Sequence, residues 1–307
     1  MMRILVLGAG GLIGTHVRRA LRADPAGHET ICLGRARRDP QTAERWIIFD
    51  LATGDRGELA RVMREARPEA VINCSGETAG DLPELVGANV LIVARVIEAI
   101  EAAGIGGRLV QLGSAAEYGA VPSGTAISEE APTRPVSPYG VTKLAGSLLV
   151  AQASAAGRLD GLVLRIFNPV GAGLPESSLP GRAAARIRRA LASGNREIRL
   201  GSLAAYRDFV DVRDVATAVV AAATTPSVPS PILNVGSGRA IRVREVVELL
   251  AAIAGFDGVI AEGVDGSPRS GEVPWQAADL ARIGRELGWV PRFDLRSSAE
   301  ALWQGVR

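Results

Sequence analysis

Residues 8–14 read GAGGLIG, and this glycine-rich turn restricts the fold more than any other feature of the chain. Before it, Arg3 to Leu7 is apolar after its first residue, as suits a strand buried on both faces. After it, Ile13, Val17, Ala20 and Leu21 recur at helical spacing. Between a buried strand and a helix the three glycines have separate uses. Gly8 allows the tight turn, Gly11 lets backbone approach a pyrophosphate, and Gly14 permits close packing of helix on strand. The helix amino terminus adds free N–H groups and the positive end of its dipole. The spacing alone is a weak signal. At the first βα turn of a βαβ unit it points to a dinucleotide.

The alternation continues. Glu29 to Leu33, Trp46 to Phe49, Ala70 to Cys74, Arg108 to Leu112 and Leu162 to Phe167 read as further strands. Leu59 to Ala66 and Asn89 to Ala103 read as helices, the second ended by Gly104. Ser137 and Pro138 open another helix, with serine as N-cap and proline at the first helical position. Strands alternating with helices imply an α/β fold, a doubly wound parallel sheet covered on both faces. After Asn168 the pattern loosens into a Gly/Pro/Ser-rich loop, a basic helix at Arg182 to Ala192, and helices near Val243 to Ala254 and Leu295 to Val306. The expected division is a dinucleotide-binding domain over 1–168, with 207–234 returning to it, and a smaller substrate-binding lobe from 169–206 and 235–307. The lobe would sit over the carboxyl ends of the strands, where ligands bind in open α/β folds.

The second strand ends at Gly34 and Arg35, with Arg37 and Arg38 close behind. An NAD site usually carries a carboxylate here to hold the ribose hydroxyls. Its absence, with guanidinium nearby, favours a 2′-phosphate and hence NADP(H), with NAD(H) as the alternative. Solvated loop charges are the plainer reading of these arginines. Asp50, at the end of the third strand, is placed to accept from the adenine amino group or merely to cap a loop.

Tyr139 and Lys143 lie four residues apart on a helix and therefore share one face. A phenol near pKa 10 is a poor acid–base group at neutral pH, but an adjacent ammonium favours its phenolate. Tyr139 could then exchange a proton with a carbonyl or alcohol oxygen as hydride moves. Ser114, just beyond the fifth strand, could hydrogen-bond the same oxygen.

Composition narrows the partners. Lys plus Arg total 35 against 33 Asp plus Glu, a net charge of +2 that gives no electrostatic case for nucleic acid or a membrane surface. Cys32 and Cys74 have no CxxC spacing and read as buried thiols. With two histidines, His16 and His28, no metal centre is expected. The apolar start, Met1 to Gly14, lacks a signal-peptide layout, and no stretch has the roughly 20 apolar residues of a membrane span. A cytoplasmic protein is the expectation.

Taken together, these motifs resemble the extended short-chain dehydrogenase/reductase family. The resemblance covers nearly the whole chain: GAGGLIG, LGSAAEYG with Ser114, PYGVTK with Tyr139 and Lys143, LRIFNPVGAG around Asn168, YRDFVDVRDVA around Arg207, LNVGSG, PRSGEVP and DLARIGRELGWVP. It implies a Rossmann-type domain and an NAD(P)-dependent sugar-nucleotide reductase or epimerase. It implies a catalytic set of Ser114, Tyr139 and Lys143. The implied cofactor contacts are Gly8, Gly11, Leu12, Ile13, Gly14, Arg35, Asp50, Leu51, Cys74, Ser75, Gly76, Asn89, Leu112, Tyr139, Lys143 and Phe167. Substrate contacts would come from Ser114, Ala115, Tyr139, Asn168, Arg207 and Arg269, the last three against the diphosphate or ribose. The helices holding Asn89 and Tyr139 match those that form a four-helix bundle in dimeric relatives, so a homodimer is expected.

One departure narrows the reaction. Dehydratases of the family carry an Asp-Glu pair directly after the catalytic hydroxyl residue. Here those positions are Ala115 and Ala116, and Glu117 follows one residue later with a different part to play. The favoured reading is reduction of the 4-keto group of a nucleoside-diphosphate 4-keto-6-deoxyhexose. A sugar-nucleotide 4-epimerase, a ketoreductase of a non-sugar natural product and a non-catalytic NADP-sensing protein are the alternatives.

Overall fold

The computed structural model describes residues 1–37, 43–263 and 273–305. The first half of the chain alternates strand and helix: β1 (Arg3–Leu7), α1 (Leu12–Ala23), β2 (Glu29–Gly34), β3 (Arg45–Ile48), α2 (Arg56–Ala66), β4 (Ala70–Asn73), α3 (Leu82–Val86), α4 (Ile92–Ala103), β5 (Arg108–Ser114), α5 (Pro138–Ala155) and β6 (Gly161–Ile166). The second half holds β7 (Asn168–Val170), α6 (Leu179–Ser193), β8 (Glu197–Leu200), β9 (Tyr206–Asp211), α7 (Val212–Thr224), β10 (Ile232–Val235), β11 (Ala240–Arg242), α8 (Val243–Ala254), β12 (Val259–Glu262), α9 (Ala281–Leu287) and α10 (Leu295–Gly305).

Seven strands form one sheet in the order β10-β6-β5-β4-β1-β2-β3, every neighbouring pair parallel. This is the Rossmann-type doubly wound sheet expected from the alternation. β4, β5 and β6 are buried along their whole length, which is why they read as apolar runs rather than alternating ones. On one face of the sheet, Val17 and Leu21 of α1 pack with Val215 and Val219 of α7. On the other, Leu59 and Met63 of α2 pack with Val96 and Ile100 of α4 and Val150 of α5. The strand order reverses between β1 and β4, leaving a crevice at their carboxyl ends, the usual ligand position in such sheets.

A second body of structure lies beside this sheet. It contains a three-stranded sheet, β11-β9-β7, and the pair β12-β8. Ala184 and Ile187 of α6, Leu250 of α8 and Leu302 of α10 form its core. Thus β9 belongs to the small sheet, while α7 and β10, directly after it in the chain, return to the large one.

Some boundaries differ from the sequence reading. The helix expected to begin at Asn89 is preceded by α3 and a π-helical turn over Gly87–Leu91, so helical backbone starts at Leu82. The reason is a reciprocal cap: Asp81 accepts the Glu84 N–H and Glu84 accepts the Asp81 N–H, with Pro83 in the first turn. Likewise α6 begins at Leu179, three residues before the expected start, because the Ser178 hydroxyl accepts the Gly181 N–H and Pro180 fits the first turn.

Candidate active site

At the crevice, Gly8 has φ of +67°, and a side-chain carbon there would meet the Ser75 nitrogen at 2.8 Å and the Cys74 carbonyl carbon at 2.9 Å. The glycine turn and the loop after β4 therefore touch backbone to backbone. At Gly14 an added carbon would overlap the Gly8 carbonyl oxygen, so the third glycine brings α1 against the turn. The N-cap of α1 is Gly11, which provides no side-chain cap. A helix terminus of this kind can offer its first-turn N–H groups, on Leu12 and Ile13, to a ligand. This bare helix terminus and close-set glycine cradle fit a dinucleotide pyrophosphate. Arg35 and Arg37 are exposed just past β2, and Arg38 lies outside the described residues. Asp50 accepts the Ala52 N–H at 2.9 Å in a local turn, and Leu51 beside it is buried.

Tyr139 and Lys143 stand on the first turns of α5. The Ser137 hydroxyl accepts the Gly140 N–H at 3.2 Å and Pro138 follows it, so the helix start is fixed by its own sequence. A side-chain carbon at Gly140 would come within 2.6 Å of the Ala116 carbonyl oxygen, so this end of α5 lies directly on the turn after Ser114. Tyr139 is half-buried. Lys143 is buried, and its Nζ donates to the Leu112 carbonyl at 2.5 Å. Burial, the largest influence, lowers the Lys143 pKa, while Glu117 pushes it back up. Ser114 ends β5, is 9% exposed, and accepts the Ala116 N–H at 3.2 Å. Gly76 brings the loop after β4 to the same place, because a carbon there would lie 3.9 Å from Lys143 Nζ. The catalytic candidates and the glycine cradle therefore meet at one end of the large sheet.

Other expected residues are placed less directly. Asn89 is buried, with its carboxamide bonded to the backbone N–H and C=O of Glu77 and to Thr142. These bonds secure the loop over 75–77 to α5. The Ser75 hydroxyl likewise donates to Asn73. Asn168 donates to the Asp208 carbonyl at 3.0 Å, joining β7 to β9. Arg207 is buried, donates to the Tyr206 carbonyl at 2.8 Å, and is lowered by burial to about 10. Phe167 and Ala115 are buried in one apolar cluster with Tyr118. Arg269 falls outside the described residues.

Three groups near the site went unassigned in the sequence reading. Asp208 is wholly buried and accepts from Ser237, Gly238 and Ala278, holding the loop after β10. Gln276 donates to the Ala115 carbonyl at 3.1 Å. Glu117 pairs with Arg165 in the interior. Only Glu117 carried a signal: Ser114-Ala-Ala-Glu117 has the spacing of a capping box. Among the described residues no cluster of acids, histidines and cysteines could hold a metal, and no helix is long and apolar enough to cross a membrane.

The sequence profile of the NAD dependent epimerase/dehydratase family matches residues 4–236. The chain is 39% identical over 303 residues to dTDP-6-deoxy-L-talose 4-dehydrogenase (NAD(P)(+)) of Kitasatospora kifunensis, covering 98% of this chain and 94% of that one. It is 34% identical over 317 residues to UDP-glucose 4-epimerase of Azospirillum brasilense, covering 95% and 88%. Among solved structures, RMD from Pseudomonas aeruginosa complexed with NADPH superposes with a TM-score of 0.84 at 27% identity, covering 99% of each chain.

Proposed function

The chain belongs to the NAD dependent epimerase/dehydratase family, and from that premise we propose that it is an NADP(H)-dependent oxidoreductase acting at C4 of a nucleoside-diphosphate 6-deoxyhexose. It reduces the 4-keto group in one direction and oxidises the 4-hydroxyl in the other. The observation that carries this reading is the contact of the first turn of α5 with the Ser114 turn, which gathers Ser114, Tyr139 and Lys143 at the glycine cradle. The likeness to a 4-dehydrogenase across 98% of this chain supports the choice of substrate class.

In this reading Gly8, Gly11, Leu12, Ile13 and Gly14 hold the pyrophosphate, and Arg35 attracts the 2′-phosphate. When bound, the nicotinamide supplies or accepts the hydride. Ser114 donates a hydrogen bond to the C4 oxygen and polarises the carbonyl. Tyr139 delivers the proton to that oxygen during reduction and removes it during oxidation. The Lys143 ammonium stabilises the phenolate. Ala115 and Ala116 offer no acid or base, so elimination of water is disfavoured. Asn168 and Arg207 face the diphosphate end, and a buried guanidinium gains most from an anion that replaces the water it has lost.

The 4-epimerase reading draws on the 34% identity to such an enzyme. It uses the same three residues but retains its cofactor and consumes none. We assign the functional unit as a homodimer through α4, the π-helical turn before it and α5, whose surface exposes Leu91, Val141 and Leu148 at 54%, 51% and 54%. The test begins with purified protein, denatured so that released nucleotide is identified, and titrated with NADPH and NADH. A dTDP-4-keto-6-deoxyhexose is then offered. The expected result is preference for NADPH and its consumption in step with sugar reduction. Stoichiometric retained NAD without net consumption would overturn the proposal in favour of the epimerase.

A further inference from the structure

Behind the Ser114 turn lies a buried charge cluster that the proposed reaction leaves unused. Glu117 is 0% exposed. Its Oε1 accepts the Ser114 backbone N–H at 2.7 Å and the Ser147 hydroxyl at 2.9 Å, and its Oε2 accepts Arg165 Nε at 2.8 Å. Arg165, from β6, is also buried and stacks 4.6 Å from the Tyr118 ring centroid. The Tyr118 hydroxyl in turn donates to Asn234 at 2.7 Å. Residue 113 is glycine, and a carbon added there would meet Glu117 Oε1 at 2.7 Å and Ser147 Oγ at 3.1 Å. The backbone has been cut back to admit the carboxylate.

A buried ion pair is weak grounds for stability, since apolar residues of similar volume often do as well. This pair has a second set of contacts. Glu117 takes the N–H of Ser114 while Ser114 takes the N–H of Ala116, so the two side chains close the turn reciprocally. Ser147 lies one turn beyond Lys143 on the face of α5 that carries Tyr139 and Lys143, so Glu117 also fastens that helix. The titratable groups facing Lys143 are Glu117 after β5 and Cys74 after β4, with Arg165 of β6 beyond Glu117, while Tyr139 sits one turn earlier on the same helix face. Desolvation pushes the Cys74 thiol up to about 12, whereas the Glu117 carboxylate is paired with Arg165. Lys143 is moreover the one lysine in the chain, every other residue of its charge type being arginine. Of the two, only lysine is a compact ammonium whose charge shifts readily with its surroundings.

We propose that Glu117 is a positioning residue for the reaction, fixing the Ser114 turn to α5 one helical turn beyond Lys143. This rests on the reading of Ser114, Tyr139 and Lys143 as the reacting set. Removing the carboxylate charge leaves Arg165 as an uncompensated cation and withdraws the negative charge that favours the Lys143 ammonium. Lys143 then loses its proton at lower pH, the Tyr139 phenolate loses its neighbouring cation, and phenolate forms only at higher pH. Oxidation of a 4-hydroxyl needs Tyr139 as base, so the acid limb of its pH–rate profile moves upward.

The single lysine makes a direct test available. Protein labelled with ¹³C at lysine Cε gives one side-chain signal from Lys143, whose titration is followed in wild type and Glu117→Gln. Glutamine keeps the shape and an acceptor but not the charge. The expected midpoint falls by about one unit in Glu117→Gln. With dTDP-6-deoxy-L-talose and NADP⁺, kcat should drop about tenfold or more and the acid limb should rise, while the affinity for NADPH stays at the wild-type value. An unmoved Lys143 midpoint overturns the proposal, as does a lower kcat with an unmoved limb, which assigns the loss to packing alone. If Glu117→Gln fails to fold, the double variant Glu117→Gln/Arg165→Met removes both charges and carries the same expectations. Tyr139→Phe is the control: if it turns over like wild type the underlying reading fails, whereas inactive Tyr139→Phe beside unimpaired Glu117→Gln sinks only the role of Glu117.

Discussion

Replacing Gly8 by alanine should weaken both the fold and its grip on NADPH, and the two costs are separable. The φ of +67° places a left-handed backbone under an L side chain, at about 1–2 kcal/mol. The new carbon would also meet Ser75 N at 2.8 Å, Cys74 C at 2.9 Å and Ser75 Cα at 3.0 Å. All three are backbone atoms, so no rotamer change relieves the overlap, and forced overpacking adds roughly 1–3 kcal/mol. The sum, about 2–5 kcal/mol, is a large share of the roughly 5–15 kcal/mol that holds a typical domain folded. Relief comes only by parting the loops after β1 and β4, which opens the crevice where the pyrophosphate would lie. Affinity for NADPH should therefore fall at least about tenfold, or 1.4 kcal/mol. Gly27→Ala is the comparison, with φ of +63° and nothing within 4 Å of the added carbon. It should lose only about 1–2 kcal/mol and bind NADPH as wild type does. Urea unfolding gives the stabilities, and quenching of protein fluorescence gives the affinities. Equal stability losses in the two variants, or unchanged NADPH affinity in Gly8→Ala, would refute the reasoning.

Tyr139→Phe should lower kcat by at least about 100-fold while leaving NADPH affinity near wild type, read by turnover and by titration. Arg35→Ala should weaken NADPH by about tenfold and leave NADH unaffected, which competitive titration would check. His16 is buried with Nε2 3.0 Å from the Ala172 carbonyl, and burial, the largest influence, lowers its pKa below 6.5. The unfolded chain then binds this proton more readily, so the His16 contribution is complete above the unfolded value and is lost as pH falls from there toward the folded one. Urea melts at about pH 7.5 and about pH 5.5 should show lower stability at the acid end, and His16→Gln should remove part of that difference.

The large sheet was legible because its signals are local. The glycine turn, the apolar runs of β4 and β5, and the Ser137-Pro138 helix start each lie within a few consecutive residues. Tyr139 and Lys143 were legible for the same reason, being one turn apart on one helix. What escaped was set by contacts remote in sequence. Asn89 spends its carboxamide on Glu77 and on Thr142, 53 residues away, and no pattern around position 89 announces it. The small sheet joins β7, β9 and β11 from three separate stretches, so its pairing cannot be read from periodicity. Glu117 is intermediate. Its spacing from Ser114 fits a capping box, but its partner Arg165 is 48 residues on, within a strand otherwise apolar.

The most direct test of the account follows one hydrogen. NADPH carrying deuterium at nicotinamide C4 is incubated with the protein and a dTDP-4-keto-6-deoxyhexose, and the product is examined by mass and by NMR. The account predicts deuterium at C4 of the sugar, one equivalent of NADPH oxidised per sugar reduced, and loss of both in Tyr139→Phe. A sugar inverted at C4 with no net oxidation of NADPH, or product formed at the wild-type rate by Tyr139→Phe, would contradict it.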